Sequence, residues 1–481
     1  MRWLVAAVLL LVPACDRVFG LERDAQHDAG SDAGGELVTG RWMRAYATNT
    51  PTGAPKVVEV PMTTGVLSLQ FTDEEQYRVE VAADGTFSFP RPAGATYHLI
   101  MNDGGQMIEL EHSAPHLELA VLGAGRPERG AVSTSTPLTF STHAVPGSRW
   151  IESTGLWTQT GMDFDSLDWS AAVSSSGPLG LLDASQGDRL YYVTYQPFSV
   201  GPDAYTGIAA EASQGVTIVD GQPQTVPLAP VPHVLDSCLN LVAHRAAAMA
   251  RVLAAVPDAT SYSDDWFIQS IPTPELGTVG PLTLAYATES GPLTDAAFVV
   301  AYRNPFAGTA AIASIGAAAS RSLAYPGLPP ISLFIGDRTF RLAPAGCSTP
   351  LVIDPAEGLP GTLTLDGVEL SSDMKIVAVP ATGRVEIAWN LSGAGPDDAT
   401  YLHVYEVTSE GNTTTLGPPQ AYETTRRSIS IPAMQFVAGH YYVIRLDALL
   451  GVPNAAAGDL RTIAYPFSVA TQFSRRFQIA P

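Results

Sequence analysis

A short acidic run could form a calcium site. Asp163, Asp165 and Asp168 lie within the eight residues that follow Thr160. Carboxylate oxygens on a flexible loop are ligands that calcium prefers. The run lacks the glycine and the closing glutamate of an EF-hand loop. An acidic turn at the protein surface is therefore the alternative interpretation.

A group of tryptophans could bind a carbohydrate. The chain has 7 tryptophans, and Trp150, Trp157 and Trp169 fall within 20 residues of one another. An aromatic ring offers a large, rigid face, and such a face can stack on a sugar ring. We take Trp157 and Trp169 as the candidates for this contact. The alternative is that at least two of the three rings belong to a hydrophobic core.

The sequence has none of the compact catalytic motifs. Gly-x-Ser-x-Gly, His-Glu-x-x-His and a Gly-rich phosphate loop are all absent. His112 and His116 are four residues apart, but Pro115 lies between them and disfavours the helix that would align them on a metal ion. We therefore expect no metal ion, no cofactor and no enzymatic activity. A hydrolase whose catalytic residues are far apart in the sequence is the least favoured alternative.

The first 15 residues have the parts of a secretory signal. Arg2 provides a positive start, and Leu4 to Val12 form an apolar run that is too short for a bilayer-spanning helix of about 20 residues. Val12-Pro13-Ala14-Cys15 then places a small residue directly before a cysteine. This arrangement resembles the bacterial lipobox. An ordinary signal peptide with a chance cysteine is the alternative.

The lipobox resemblance implies a membrane anchor. The signal would be cut before Cys15 and the thiol diacylated, because two acyl chains hold a protein on membrane lipid where one is marginal. Residues 16–36 follow as a flexible acidic tether. We expect a periplasm-facing or cell-surface protein, with the outer membrane favoured.

Two further cysteines, Cys238 and Cys347, fall in one predicted module. An exported chain is in an oxidising compartment, where a disulfide between them would persist. The bridge would close a loop of more than about 100 residues and would stabilise the fold. Two buried free thiols are the alternative, and neither cysteine lies in a nucleophile motif.

The composition favours short strands and excludes a nucleic-acid partner. Charged residues make up 15% of the chain, below the roughly 25% of ordinary soluble domains, while Gly and Pro number 43 and 38. Such a chain is rich in turns and poor in the residues that cover surface helices. The net charge of −21 repels a phosphate backbone. We predict an all-β chain of tandem β-sandwich modules of Ig-like or transthyretin-like type, with one short helix in the third module.

A period-two pattern predicts the first module, residues 37–125. Phe87 and Phe89 alternate with polar residues directly after an Asp84-Gly85 turn, as in a β-meander with one buried face. The stretch 79–97 resembles carboxypeptidase regulatory-like (transthyretin-like) domains. That resemblance implies a small, non-catalytic sandwich.

Two less regular modules follow. In the second of them, Leu241, Arg245, Met249 and Leu253 recur at four-residue spacing, which predicts one helix that ends before Pro257. Short strand-like runs between Gly- and Pro-rich loops account for the remainder. The bounds of these two modules are 126–232 and 233–356.

The last module, residues 365–481, has the most regular strand pattern. Ile387 and Trp389 alternate with polar or small residues, and Tyr442 follows a turn at Gly439. A core tryptophan and a tyrosine that ties back to the preceding turn are features of Ig-like sandwiches. The module thus resembles a fibronectin type III domain, with Trp389 and Tyr442 in those two places. The resemblance implies an interaction or spacer role rather than a reaction.

The sequence therefore favours a non-catalytic, membrane-anchored envelope or cell-surface protein. Its modules would serve binding, adhesion or spacing. Its partners would be membrane lipid through the acylated Cys15, and an envelope protein or a glycan. Exposed loops at the sandwich ends would carry the binding residues. A carbohydrate-binding accessory protein that uses Trp157 and Trp169 is the alternative.

Overall fold

The computed structural model describes most of the chain from residue 35 onward, and the fold is all-β. The predictions for Cys15 and for the tether up to residue 34 lie outside the described residues. The described residues are 35–481 without 72–75, 104–106, 128–131, 141–147, 155–157, 162–165, 171–172, 175–176, 179, 201–202, 277–281, 290–294, 356–358, 382 and 393–397.

The first sandwich packs two sheets around a core that includes Trp42, Phe89 and Leu99. Its strands are β1 (Glu36–Asn49), β2 (Pro55–Pro61), β3 (Val66–Gln70), β4 (Gln76–Val79), β5 (Thr86–Arg91), β6 (Tyr97–Asn102), β7 (Met107–His112) and β8 (His116–Ala124). One sheet has β1 in the middle, antiparallel to β2 and β5 and parallel to β8. The facing sheet has the order β4-β3-β6-β7.

The turn before β5 forms for local reasons. The Asp84 carboxylate accepts hydrogen bonds from the backbone N–H of Thr86 at 3.0 Å and from its hydroxyl at 2.7 Å. Gly85 has a φ of +83°, a conformation that side chains with a Cβ rarely adopt. Phe87 and Phe89 then point into the core. The predicted alternation in β5 is confirmed.

The second sandwich has a core that includes Leu138, Trp169 and Tyr192. Its strands are β9 (Pro137–Phe140), β10 (Ser148–Thr154), β11 (Thr158–Gly161), β12 (Ser166–Asp168), β13 (Val173–Ser174), β14 (Gly177–Pro178), β15 (Arg189–Val200), β16 (Asp203–Gly215), β17 (Gln224–Val226) and β18 (Val231–Pro232). One sheet has the order β12-β9-β17, and the other contains β10, β11, β15 and β16. The strands β13 and β14 pair with each other.

The third sandwich combines strands with one α-helix. Its elements are β19 (Ser237–Ala243), α1 (Arg245–Ala255), β20 (Ser261–Ile271), β21 (Leu282–Glu289), β22 (Ala296–Tyr302), β23 (Ala310–Leu323), β24 (Ile331–Leu342) and β25 (Leu351–Ile353). The sheet β22-β19-β25 faces a sheet that contains β21, β20, β23 and β24. Their shared core includes Leu241, Trp266 and Val300.

The helix begins later than its four-residue pattern predicts. Leu241 belongs to β19, and α1 starts at Arg245. An apolar residue in phase with a helix can equally face the core from a neighbouring strand, and periodicity alone does not separate the two. The predicted end before Pro257 is confirmed, since α1 ends at Ala255. No helix among the described residues is long and apolar enough to cross a bilayer.

The last sandwich starts at β26, ahead of residue 365. Its strands are β26 (Leu359–Leu365), β27 (Val368–Glu369), β28 (Lys375–Val377), β29 (Arg384–Ser392), β30 (Ala399–Glu410), β31 (Thr413–Leu416), β32 (Gln420–Thr424), β33 (Ser428–Pro432), β34 (Tyr441–Leu450), β35 (Phe467–Phe473) and β36 (Phe477–Ile479). The sheet β27-β26-β29-β33 faces the sheet built on β32, β30, β34 and β35. Among the described residues, single 3-10 turns lie at Ala184–Gln186, Pro274–Leu276, Ala433–Gln435 and Ala455–Ala457.

The two residues that carry the fibronectin resemblance are both buried in the last sandwich. Trp389 is 5% exposed and Tyr442 is 3% exposed. The Tyr442 hydroxyl accepts a hydrogen bond from the Val437 N–H at 2.9 Å and lies 3.4 Å from the Gln435 carbonyl oxygen. This tyrosine therefore ties β34 to the turn before it, while membership of the family stays a prediction.

One large sheet runs through all four sandwiches. Strand β16 of the second pairs with β21 of the third, and β24 of the third pairs with β35 of the last. Strand β32 of the last sandwich then pairs in parallel with β7 of the first. Helix α1 also packs into the core of the last sandwich. The modules are therefore joined by backbone hydrogen bonds and shared cores rather than hanging as separate beads.

Buried charged side chains support the junction between β7 and β32. Arg384 of the last sandwich forms an ion pair with Glu109 of the first. His98 Nδ1 lies 3.0 Å from Glu109 Oε1, and Glu111 Oε2 accepts a hydrogen bond from the Ser430 N–H at 2.9 Å. Burial of these groups is tolerated because each has a hydrogen-bonding partner.

Candidate functional site

A cavity of about 310 Å³ lies where the first and last sandwiches meet. Ligand sites are usually concave, mostly apolar and supplied with a few polar groups, and this cavity has that character. We call it the interdomain cavity. Its apolar lining is Met101, Ile108, Leu119, Ala120, Val121, Leu122 and Leu460, and its polar lining is Trp42, Asp103, Tyr401, Glu423 and Arg461.

The pairing of β32 determines which side chains reach this cavity. Tyr422 belongs to the core of the last sandwich, so its neighbour Glu423 points to the opposite face of the sheet. Tyr401 lies directly across from Glu423 on β30 and hydrogen-bonds to its carboxyl group. Two adjacent strands thus place a phenol and a carboxyl group side by side in the cavity wall.

The carboxyl group of Glu423 has an altered acidity. Its residue is 5% exposed. Burial raises the pKa of Glu423 from its ordinary value of 4.5 to about 7, and the hydrogen bond with Tyr401 opposes part of the rise. Near neutral pH a large share of this group is therefore protonated. In that form it can donate as well as accept a hydrogen bond.

Trp42 lines the cavity, and its side chain has an unsatisfied hydrogen-bond donor. Its side chain is fully buried, and its indole N–H has no partner among the described residues. A Cβ at Gly65 would collide with the ring, so the glycine provides the space that the ring occupies. A buried donor without an acceptor costs roughly 1–3 kcal/mol. A ligand whose acceptor reached this N–H would remove that cost.

The two remaining charged residues of the lining are already paired. Asp103 forms an ion pair with Arg44 at 2.9 Å. Arg461 pairs with Glu59 at 2.9 Å and with Glu118 at 3.0 Å. The cavity therefore offers hydrogen-bonding groups with little net charge. Among the described residues, its lining contains no serine, cysteine or histidine.

The tryptophan hypothesis needs correction. Trp169 is fully buried in the core of the second sandwich, and its indole N–H donates to the Gly180 carbonyl oxygen at 3.0 Å. No face of this ring is open to a sugar. Trp150 is partly buried against the core of the second and third sandwiches, and Trp157 lies outside the described residues.

Asp168 is engaged as a hydrogen-bond acceptor. It receives bonds from the Ser135 hydroxyl at 2.7 Å, from the Thr136 N–H at 2.9 Å and from the Ser170 hydroxyl at 2.7 Å. These bonds lower the pKa of Asp168 to about 2. The carboxylate ties two loops together, and a calcium ion would have to displace these donors. The other two residues of the predicted calcium site, Asp163 and Asp165, lie outside the described residues.

Cys238 and Cys347 are joined by a disulfide bond. Their Cα atoms are 5.5 Å apart, a separation usual for such bridges. The bond connects the start of β19 to the segment before β25, and these two strands pair with each other. Within the described ranges no three histidine, cysteine, aspartate or glutamate residues come together as a metal site.

Comparison with known proteins gives no family. No protein-family model matches the chain, and no curated protein matches it. The crystal structure of trypsin-activated alpha-2-macroglobulin from Escherichia coli aligns with 96% of this chain at 10% identity and a TM-score of 0.16. The chain spans about a quarter (24%) of the length of that protein. A TM-score of this size supports no statement about the fold or the function of this chain.

Proposed function

We propose that this chain is a non-catalytic binding protein of the bacterial cell envelope, anchored to membrane lipid through Cys15. It holds a small, mostly apolar ligand in the interdomain cavity. The observation that carries the binding role is the buried indole N–H of Trp42, for which the described part of the chain supplies no acceptor. The lipobox resemblance at residues 12–15 supports the anchor.

The ligand chemistry follows from the lining. Seven of the twelve lining residues are apolar, so most of the ligand is hydrocarbon or aromatic ring. An oxygen acceptor on the ligand would face Trp42, and a hydrogen-bonding group would face Glu423. A cavity of about 150 Å³ is enough for benzene, so this larger one has room for a substituted ring. The burial of Trp169 removes the main support for the carbohydrate alternative.

Lipid attachment is tested by metabolic labelling of cells with radioactive palmitate. The wild-type chain is expected to carry the label and to sediment with membranes. Cys15→Ala is expected to lose the label, because the thiol that accepts the acyl chains is gone. Ala14→Gly keeps a small residue before the cysteine and should remain labelled. An unlabelled wild type, or a labelled Cys15→Ala variant, would remove the anchor from the proposal.

Ligand binding is tested by calorimetric titration of the purified protein with benzamide. Benzamide has an aromatic ring, a carbonyl acceptor for Trp42 and an amide donor for Glu423. We expect it to bind more tightly than toluene, which has the ring alone. Ala120→Phe places a larger side chain in the lining and should weaken benzamide binding at least tenfold.

The control for this experiment is Ala247→Phe, on an exposed position of α1. It adds the same side chain away from the cavity and should leave benzamide binding unchanged. Equal weakening by the two variants, or no preference for benzamide over toluene, would count against a ligand in the interdomain cavity.

A further inference from the structure

A second cleft, of about 550 Å³, lies where α1 meets the last sandwich. Three arginine side chains line it: Arg251 from α1, Arg321 from β23 and Arg475 from the segment after β35. We call it the arginine cleft. It shares no lining residue with the interdomain cavity, so the two sites can be tested independently.

The positive charge of the arginine cleft is only partly compensated. Arg321 and Arg475 share a single carboxylate, that of Asp258. Arg251 forms no ion pair within 4.0 Å with any described residue. Three guanidinium groups thus face one paired carboxylate, in a chain whose net charge is −21.

Arg321 is the most constrained of the three. It is 7% exposed, its Nε lies 3.5 Å from Asp258 Oδ1, and its Nη1 donates to the Phe473 carbonyl oxygen at 3.2 Å. Burial, together with the nearby Arg475, lowers the pKa of Arg321, which means that its surroundings disfavour the charged form. A buried cation in this condition gains from an additional anion.

The carboxyl group of Asp337 supplies little negative charge to compensate the arginines of the cleft. It acts electrostatically on Arg251, but burial raises the pKa of Asp337 to about 7. Both of its oxygens lack hydrogen-bond partners among the described residues. At neutral pH it is therefore a partial counter-charge at most.

The rest of the lining is apolar enough to hold a hydrocarbon group. Ala255, Pro257, Leu363, Leu370 and Phe473 all line the cleft. A guanidinium group matches the oxygens of a carboxylate or a phosphate with paired hydrogen bonds. The complementary ligand therefore has an oxyanion head and an apolar body.

We propose that the arginine cleft is a binding site for a small organic oxyanion, with the anionic head against Arg251, Arg321 and Arg475. The apolar body lies against the end of α1 and Phe473. The site is separate from the interdomain cavity and does not depend on the function proposed for it.

The proposal is tested by calorimetric titration of the purified protein with hexanoate, hexyl phosphate, inorganic phosphate and 1-hexanol. Hexanoate or hexyl phosphate is expected to bind, and the tighter of the two identifies the head group. Inorganic phosphate is expected to bind at least tenfold more weakly, because each buried CH₂ contributes to binding. 1-Hexanol has no negative charge and should not bind. Added salt should weaken the binding of hexanoate and hexyl phosphate, because it screens the attraction between opposite charges.

The variants are Arg251→Gln and Arg475→Gln. Each is expected to bind the tighter of the two oxyanions, hexanoate or hexyl phosphate, at least tenfold more weakly than the wild type does. Arg189→Gln, in the second sandwich, is the matched control and should bind as the wild type does. Arg251 is only partly buried, so its replacement keeps the experiment decisive if a change at Arg475 disturbs folding. Absence of binding for both oxyanions, 1-hexanol binding as tightly as hexanoate, or wild-type affinity in both variants would overturn the proposal.

Discussion

Replacing Cys238 and Cys347 together by alanine will lower the free energy of unfolding by about 5 kcal/mol. The two residues are 109 positions apart. In the chain-entropy model, a bridge that closes a loop of about 100 residues restricts the unfolded chain by roughly 4.7 kcal/mol. Guanidinium unfolding followed by tryptophan fluorescence measures the change. The midpoint should move to a lower denaturant concentration in the double variant.

The single variants and a reductant provide the controls. Cys238→Ala and Cys347→Ala should each lose about as much stability as the double variant, because either change removes the bridge. Wild-type protein reduced before unfolding should behave in the same way. If the double variant unfolds at the wild-type midpoint, the bridge does not constrain the unfolded chain as the loop length requires.

Raising the pH from about 5.5 to about 8 will lower the free energy of unfolding by about 2 kcal/mol through the ionisation of Glu423 alone. In the unfolded chain the carboxyl group has its ordinary pKa of 4.5, and in the folded protein its pKa is about 7. Between these values the folded state holds one more proton, so rising pH favours unfolding. The loss begins above the unfolded pKa and is complete above the folded pKa.

Glu423→Gln removes the titrating group and keeps the shape of the side chain. Over the same pH interval, the free energy of unfolding of the variant should therefore fall by about 2 kcal/mol less than that of the wild type. Part of the pH dependence will remain, since burial also raises the pKa of Asp337 to about 7. Glu410→Gln, at an exposed end of β30, should follow the wild-type profile. Parallel profiles for Glu423→Gln and the wild type would show that this carboxyl group is already ionised below pH 7.

Local sequence patterns were sufficient for the strands with one buried face. Phe87 and Phe89 alternate in the sequence and both point into the core, because side chains of a strand alternate between its two faces. The same reasoning predicts burial of Trp389, which is 5% exposed. These features depend only on neighbours in the sequence.

Local alternation could not decide whether Leu241 lies on a strand or a helix, or whether the ring of Trp169 is buried. Leu241 is in phase with the helix that follows it but lies on β19. Trp169 follows β12, a strand of three residues, which is too short to show an alternation. In both cases the tertiary packing, rather than the local pattern, determines which face is buried.

The interdomain cavity was not predictable from the sequence because its walls come from distant segments. Trp42 lies on β1 and Glu423 lies on β32. The junction of β7 with β32 beside the cavity did leave a signal, since Glu109 and Glu111 are charged residues within a strand-like run. Both proved to be buried, and charged residues are rarely buried without a partner.

The parallel pairing of β7 with β32 also constrains the order in which the protein can be completed. Ile108 and Ala421 are partners in this pair, yet nearly two-thirds of the chain separates them. A chain that emerges from its amino end exposes the open edge of β7 until almost all of the remainder has followed. Unpaired strand edges are templates for pairing with other chains. The growing protein is therefore most exposed to aggregation during its synthesis, and it loses that vulnerable edge only when β32 pairs with β7.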